Sequence, residues 1–225
     1  MKINCNYIDN SIVFEDGKIN VIELESKRFF YRFVSNLYSI SNGDILEEFI
    51  CLDGNNKEIN LANRVKIFNN YFEFDFNSKK YNNEIIKQLI DNINDEEKND
   101  IVIFQRKLYQ KINRQLNRFD IPLFISNDLD IETILKGVKI LVNSFDDILN
   151  NLFLLIDIEK TLNLSSILVF INLKQYLSNE ELEELYKYSI YNDVKILLVD
   201  SQCYSNKSIY ENKLSIDKDL VEFVL

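Results

Sequence analysis

The sequence predicts an α/β fold, a head domain built on a parallel sheet with an inserted α-helical leg domain, and three observations carry that expectation. In "SSILVFINLKQYLSNEELEELYKYSIYNDVKILLVDSQ" two continuously apolar runs, Ile167 to Ile171 and Ile196 to Val199, flank a helix opened by the capping box Ser178 to Glu181. Strands without polar alternation on both sides of a helix require a parallel crossover buried on both faces. "INVIELESKRFFYRFV" supplies another such strand, running through a tight turn into a helix. β-prone sections at both ends of the chain flank a helical middle, which divides it into a head from residues 1–62 and 142–225 and a leg from residues 63–141.

Each element follows from its local pattern. Turn signals at Asn10-Ser11 and Asp16-Gly17 separate short β-prone runs and predict a hairpin that leads into the strand Ile19 to Leu24. Phe29, Phe30, Phe33, Leu37 and Ile40 then recur at helical spacing, so a helix runs from Lys27 to Ile40 and "SNGD" stops it. "ILEEFICLDGNNKEINL" reads as two strands around Asp53-Gly54. After Leu61 the texture becomes aromatic and asparagine-rich, and two helices follow, Asn83 to Ile93 and Glu96 to Phe119, joined by the acidic, solvated "DNINDEEKND". Pro122, the single proline, closes that section. "DIETILKGVKILV" predicts a short helix broken at Gly137 with a strand after it. "SFDDILNNLFLLIDIEKTL" predicts a long helix capped by Ser144, and the C-terminal "NKLSIDKDLVEFVL" an edge strand.

Composition excludes much chemistry. With 46% hydrophobic, 12% aromatic and 28% charged residues, the 225-residue chain has the apolar material for two compact units. It contains no histidine, which removes Ser-His and Cys-His nucleophiles, imidazole metal sites and imidazole proton transfer. Cys5, Cys51 and Cys203 are far apart and form no CxxC, so they read as small buried hydrophobes in a reducing cytoplasm. "MKINCNYIDN" lacks the apolar centre of a signal peptide, and no apolar run approaches the roughly 20 residues that span a bilayer. A cytoplasmic, membrane-free protein is expected.

The strand-turn-helix at Ile19 to Val34 stands where a nucleotide-binding protein keeps its phosphate loop, yet Glu25, Ser26, Lys27 and Arg28 include no glycine and no GK[ST]. Asn172 ends the strand that would carry a magnesium-holding acid. Backbone amides cannot close on phosphates there and no carboxylate holds the metal, so nucleotide hydrolysis is not expected and the protein is not read as an enzyme.

"FQRKLYQKINRQLNRF" carries the most specific physical signal. Lys107, Lys111, Arg114 and Arg118 recur at helical spacing and project from one face, while Phe104, Leu108, Ile112, Gln115 and Phe119 lie on another that is expected to pack. No acid interrupts the run from Arg106 to Phe119, in a chain of formal charge -10. Such a segregated stripe suits tracking of phosphates without reading bases. Any metal must be hard and oxygen-bound, meaning calcium or magnesium, and Glu23, Glu25, Asp120, Asp128, Asp130, Glu132, Asp146 and Asp147 are the carboxylates nearest strand and helix ends. Most of them read as caps and solvated charges, Asp130 for the helix at Ile131 and Asp146 and Asp147 for the first turn of theirs.

"INVIELESKRFFYRFVSNLY" after an N-terminal hairpin, the charged helical middle and "ILVFINLKQYLSNEELEELYKYSIYNDVKILLVDSQ" together resemble the Csn2 family of type II-A CRISPR systems. The resemblance implies an accessory protein of spacer acquisition in antiviral defence, without established enzymatic activity. It implies a head like a degenerate P-loop ATPase fold and a homotetrameric ring that the helical legs help to close. The implied partners are double-stranded DNA ends, bound through a lysine-lined hole, together with the CRISPR integrase complex and the RNA-guided effector nuclease. Calcium is the implied structural ion, held by an acidic loop after the leg helices. The segment in register here is "NRFDIPLFISNDLDIE", in which Asp120 matches an acid, Pro122 and Phe124 stand where charge is expected, and Asp128, Asp130 and Glu132 are the replacements. Lys136, Lys139 and Lys174 join Lys107, Lys111, Arg114 and Arg118 as candidates to meet DNA. Two alternatives stay open at this point: a nucleotide-dependent enzyme with an unorthodox phosphate site at Ser26 to Arg28, and a purely structural interaction module.

Overall fold

The computed structural model describes residues 1–62, 64–125, 131–164 and 167–225. They fall into two compact units, one of Met1–Phe74 with Ser144–Leu225 and one of Asp75–Asn143.

The first unit is the α/β part. Its larger sheet has six strands in the order β10-β9-β3-β8-β7-β6: β3 is Ile19–Leu24, β6 Val65–Phe68, β7 Ile167–Ile171, β8 Lys195–Asp200, β9 Glu211–Ile216 and β10 Glu222–Val224. All neighbours are parallel except the edge pair of β10 with β9. Every described residue of β3 and β7 is buried, which is why those strands read as unbroken apolar runs. A smaller antiparallel sheet has the order β2-β1-β4-β5, with β1 at Lys2–Cys5, β2 at Ile12–Val13, β4 at Phe49–Leu52 and β5 at Glu58–Ile59.

Period-two alternation divides the large sheet between two faces. Ile22, Leu24, Val169, Leu197 and Val199 share a core with Phe33, Leu37 and Ile40 of helix α1 (Lys27–Ser41) and with Ile3, Cys5 and Cys51 of the small sheet. Phe33 is completely buried, and truncating it to alanine would cost about 3–5 kcal/mol. Val21, Glu23, Leu198, Asp200, Lys213 and Ser215 have the opposite parity, on the side where Tyr186 of helix α6 (Asn179–Tyr191) reaches Glu211. The capping box at the start of α6 is formed: Glu181 N–H donates to Ser178 Oγ at 3.2 Å and Ser178 N–H to the Glu181 carboxylate at 2.7 Å.

The second unit is helical, with α2 at Lys79–Asn92, α3 at Asp95–Leu116 and α4 at Ile131–Gly137. Asn77 ties its two ends in sequence together, donating to Val142 O at 3.0 Å and accepting from Val142 N–H at 2.8 Å. None of the helices is long and apolar enough to cross a membrane among the described residues.

Six expectations need correction. Residues 65–68 belong to the sheet as β6, hydrogen-bonded beside β7, so the helical unit starts later than residue 63. α2 opens at Lys79, capped by Ser78, because Tyr81 is a buried position of the same helix. No strand follows Gly137, since Val138 to Val142 has no sheet neighbour among the described residues to complete its backbone hydrogen bonds. The cap of helix α5 (Ile148–Thr161) is Asp147, whose carboxylate accepts from Asn150 N–H at 2.8 Å, rather than Ser144. The C-terminal segment makes two strands, and its first, β9, lies inside the sheet beside β3. Cys203 is exposed, whereas Cys5 and Cys51 are buried.

Candidate functional site

Helix α3 begins with a complete capping box, in which Glu97 N–H donates to Asn94 Oδ1 and Asn94 N–H to the Glu97 carboxylate, both at 2.9 Å. Asp95, Glu96 and Glu97 fill its first turn and Arg114 its last, each complementing the helix dipole. Lys107, Lys111 and Arg114 are exposed, as is Arg118 in the turn after the helix, where its N–H donates to Gln115 O. Among the described residues no carboxylate is within ion-pair distance of any of the four.

The apolar flank of α3 differs from expectation. Phe104 is 70% exposed, Leu108 44%, Ile112 39% and Phe119 58%, and α3 has no fully buried residue. Of its half-buried positions Val102, Gln105, Tyr109 and Leu116 lie further round the helix, while Ile101 falls in the arc between Leu108 and Ile112. The chain thus leaves an apolar strip open beside the basic one.

The remaining sequence candidates scatter. Lys136 is engaged by Glu132 one helical turn away in α4, and Lys139 is exposed beyond that helix. Asp120 is exposed, and Asp128 and Asp130 lie outside the described residues. Among the described residues no three acid or thiol groups come together as a metal cage, so Asp120 and Glu132 do not fit calcium by themselves.

At the phosphate-loop position only Glu25 and Ser26 separate β3 from α1. Glu25 N–H donates to Ile216 O at 3.0 Å, and Ser26 O takes the first helical bond from Phe30 N–H at 2.8 Å. That amide is committed to the sheet, and the turn lacks the length to wrap a phosphate. Asn172 has a left-handed backbone, with φ of 56°, and its Oδ1 accepts from Ser201 N–H at 2.8 Å while its own N–H donates to Val199 O at 2.9 Å. It joins the ends of β7 and β8 where a magnesium-holding acid would otherwise stand.

Sequence reading missed a buried charge network on the α6 side of the sheet. Glu23 is wholly buried between Lys213 Nζ at 2.9 Å, Lys174 Nζ at 3.4 Å and Ser215 Oγ at 2.9 Å. Lys174 also meets Glu211 at 2.9 Å, and Glu211 accepts from Tyr186 Oη at 2.8 Å. Tyr204 N–H donates to Glu23 at 3.2 Å and its carbonyl accepts from Lys213, so the loop after β8 is hooked by its backbone onto the ion pairs. Lys174, expected among the DNA contacts, is therefore unavailable: its side chain is 5% exposed. Burial pushes the Asp200 carboxyl up to about 7, with Lys174 pulling it down and Glu23 and Glu211 adding to the rise. Neither Asp200 oxygen has a hydrogen bond of normal geometry among the described residues. An open pocket of about 290 Å³ lies beside the network, lined by Lys174, Tyr186, Tyr204, Lys207 and Glu211. The network supplies no nucleophile with a base, and its lysines are neutralised by acids, so it acts as a fastening inside the fold. The available signal was Glu23 in the largely apolar "INVIEL", whereas Lys213 sits among polar neighbours in "ENKLSI" and does not stand out.

The chain thus combines a mostly parallel α/β sheet, closed by a two-residue turn after β3, with a helical unit joined to it in sequence that carries an exposed basic stripe. A family model described as CRISPR-associated protein (Cas_Csn2) matches residues 43–220, and the chain belongs to that family. The fold is similar to that in the crystal structure of Stu0660 of Streptococcus thermophilus, with a TM-score of 0.60 and 16% identity over 96% of this chain and 74% of that one. No curated protein matches the chain in sequence.

Proposed function

We propose that the protein binds double-stranded DNA ends without reading sequence and without enzymatic chemistry, as a homotetrameric ring in the cytoplasm that supports spacer acquisition. Its partners in that role are the CRISPR integrase complex and the RNA-guided effector nuclease. The observation that carries this reading is the exposed row Lys107, Lys111, Arg114 and Arg118, without an ion-pair partner among the described residues, in a chain of charge -10. Along α3, Lys107 and Arg114 are about 10 Å apart at 1.5 Å per residue, so the row can contact successive phosphates and leave the base edges untouched. Lys136 and Lys139 are secondary candidates for the same surface.

The test is fluorescence anisotropy of the protein on short duplexes of unrelated sequence across a salt series. Affinities equal among sequences and falling steeply with salt, with a log-log slope of about -0.9 per phosphate contact, are expected. Sequence preference or salt-independent binding would sink the reading. The closed turn at Glu25 and Ser26 argues against the nucleotide-dependent enzyme, for which tight ATP binding in calorimetry would speak.

Calcium enters the reading as a structural ion through Asp128 and Asp130, completed by Asp120, Glu132 or acids of another copy. A calcium-dependent rise in melting temperature that is absent in the Asp128→Asn, Asp130→Asn variant is the expected result. An equal rise in that variant would remove both residues from the ion's site.

A further inference from the structure

We infer that the pocket between helix α6 and the loop after β8 is a binding site for a neutral hydroxylated ring, either a free sugar or the ribose of a nucleoside. The site lies wholly in the α/β unit and is independent of the α3 stripe.

The most buried charged groups that line the pocket are Glu211, 4% exposed, and Lys174, whose side chain is 5% exposed. Glu211 Oε1 is used twice, accepting from Lys174 Nζ at 2.9 Å and from Tyr186 Oη at 2.8 Å. Its Oε2 is buried and has no hydrogen-bond partner among the described residues. A carboxylate oxygen left in that state is costly, and buried acceptors of this kind are ordinarily met by a donor. Lys174 is incomplete in the complementary sense. An ammonium has three N–H donors, and Glu23 at 3.4 Å and Glu211 engage two of them. The pocket therefore sets one unused acceptor beside one unused donor.

That pair selects the ligand. A cation brought to Glu211 would be repelled by the Lys174 ammonium, and an anion brought to Lys174 would be repelled by Glu211 and Glu23. A hydroxyl both donates and accepts, so it can give its proton to Oε2 while it takes an N–H from Lys174. The rest of the lining suits further hydroxyls on a compact ring. Asn179, Ser205 and Asn206 carry amide and hydroxyl groups at exposed positions, and Tyr204 and Tyr186 supply aromatic area for an apolar ring face. Glu183 in the same lining is already answered by Lys187 at 3.1 Å, and Lys207 is exposed on a flexible stem, so neither fixes a charge on the ligand. A volume of about 290 Å³ stands at the small end of ligand pockets, which suits a single sugar ring. Because the pocket is open, a base attached to that ring can extend outward.

Saturation-transfer NMR on the full chain tests this, with ribose, glucose, galactose and adenosine as separate probes and titration calorimetry of those that bind. At least one probe is expected to bind wild type. Binding of a free sugar identifies that source. Binding of adenosine without ribose, weakened about tenfold or more in 2′,3′-dideoxyadenosine, identifies the nucleoside. Glu211→Gln should weaken binding about tenfold, because Lys174 and Tyr186 hold the amide oxygen at the Oε1 position and the amide N–H groups then replace the acceptor. Ser205→Trp, at an exposed position, should fill the pocket and abolish binding. A thermal melt of each variant separates folding from binding, and Ser205→Trp decides the matter if Glu211→Gln does not fold. No binding of any probe to wild type, binding retained in either folded variant, or adenosine and its dideoxy form binding equally where ribose does not bind would overturn the inference.

Discussion

Glu23 is held by two lysines, a serine and a backbone amide inside the sheet, and these neighbours fix what substitution should do. Lys213, with no exposed side-chain surface, answers it directly, so Lys213→Ala leaves a charge uncompensated in the sheet. A loss of about 3–5 kcal/mol by urea denaturation is expected. Lys174→Ala should likewise lower stability while leaving DNA affinity per folded molecule unchanged, in contrast to any variant of the α3 stripe. Asp200 gives a pH signature. Its carboxyl sits near 7 in the fold against about 4 in the unfolded chain. The folded state therefore prefers the protonated form, and the stability this contributes is complete below about pH 4 and lost as pH rises through 7. Asp200→Asn should remove that decline and stand above wild type at pH 8 by about 1–3 kcal/mol. A wild-type stability that rises from pH 5 to 8 with no difference in the variant would contradict the assignment.

At the scale of elements, α3 combines a complete N-terminal capping box with a strip and a stripe that stay exposed among the described residues. Asn94→Ala should cost about 1 kcal/mol through the cap. Lys107→Ala and Arg114→Ala should weaken binding to all duplexes alike, each reducing the salt slope by about 0.9. How much was legible in the sequence differs sharply between elements. β3, β7, β8 and the α6 capping box were readable because burial on both faces and reciprocal capping leave local patterns. β6 was not, since "VKIF" is short and becomes a strand only by bonding to β7, about a hundred residues away. The apolar run after Gly137 fails to become a strand for the converse reason, having no sheet partner among the described residues. The basic stripe was legible from spacing alone, whereas the exposure of Phe104 and Leu108 was not, because periodicity says which residues share a face and not what covers it. The pairing of Glu23 with Lys213 was hidden because charges are buried only when their partners arrive, and these come from opposite ends of the chain.

Over the whole molecule, the turn at which a sheet of this kind can hold a phosphate is occupied by the protein's own hydrogen bonds. The turn after β3 is closed by the Glu25 bond to β9, and Asn172 joins two strand ends. The charges buried in the sheet neutralise each other. In the proposed function the binding surface lies in the helical unit, where a local cationic row must act against an overall charge of -10. A polyanion is then held only where the row meets it, and screening should weaken the interaction quickly. The most direct measurement is competition for the protein between a linear duplex and a covalently closed circle of the same sequence, repeated as salt is raised. Linear DNA with free ends is expected to bind, the closed circle to compete poorly, and binding to the linear form to fade steeply with salt. Equal binding to both forms, or binding that persists at high salt, would contradict the proposed function.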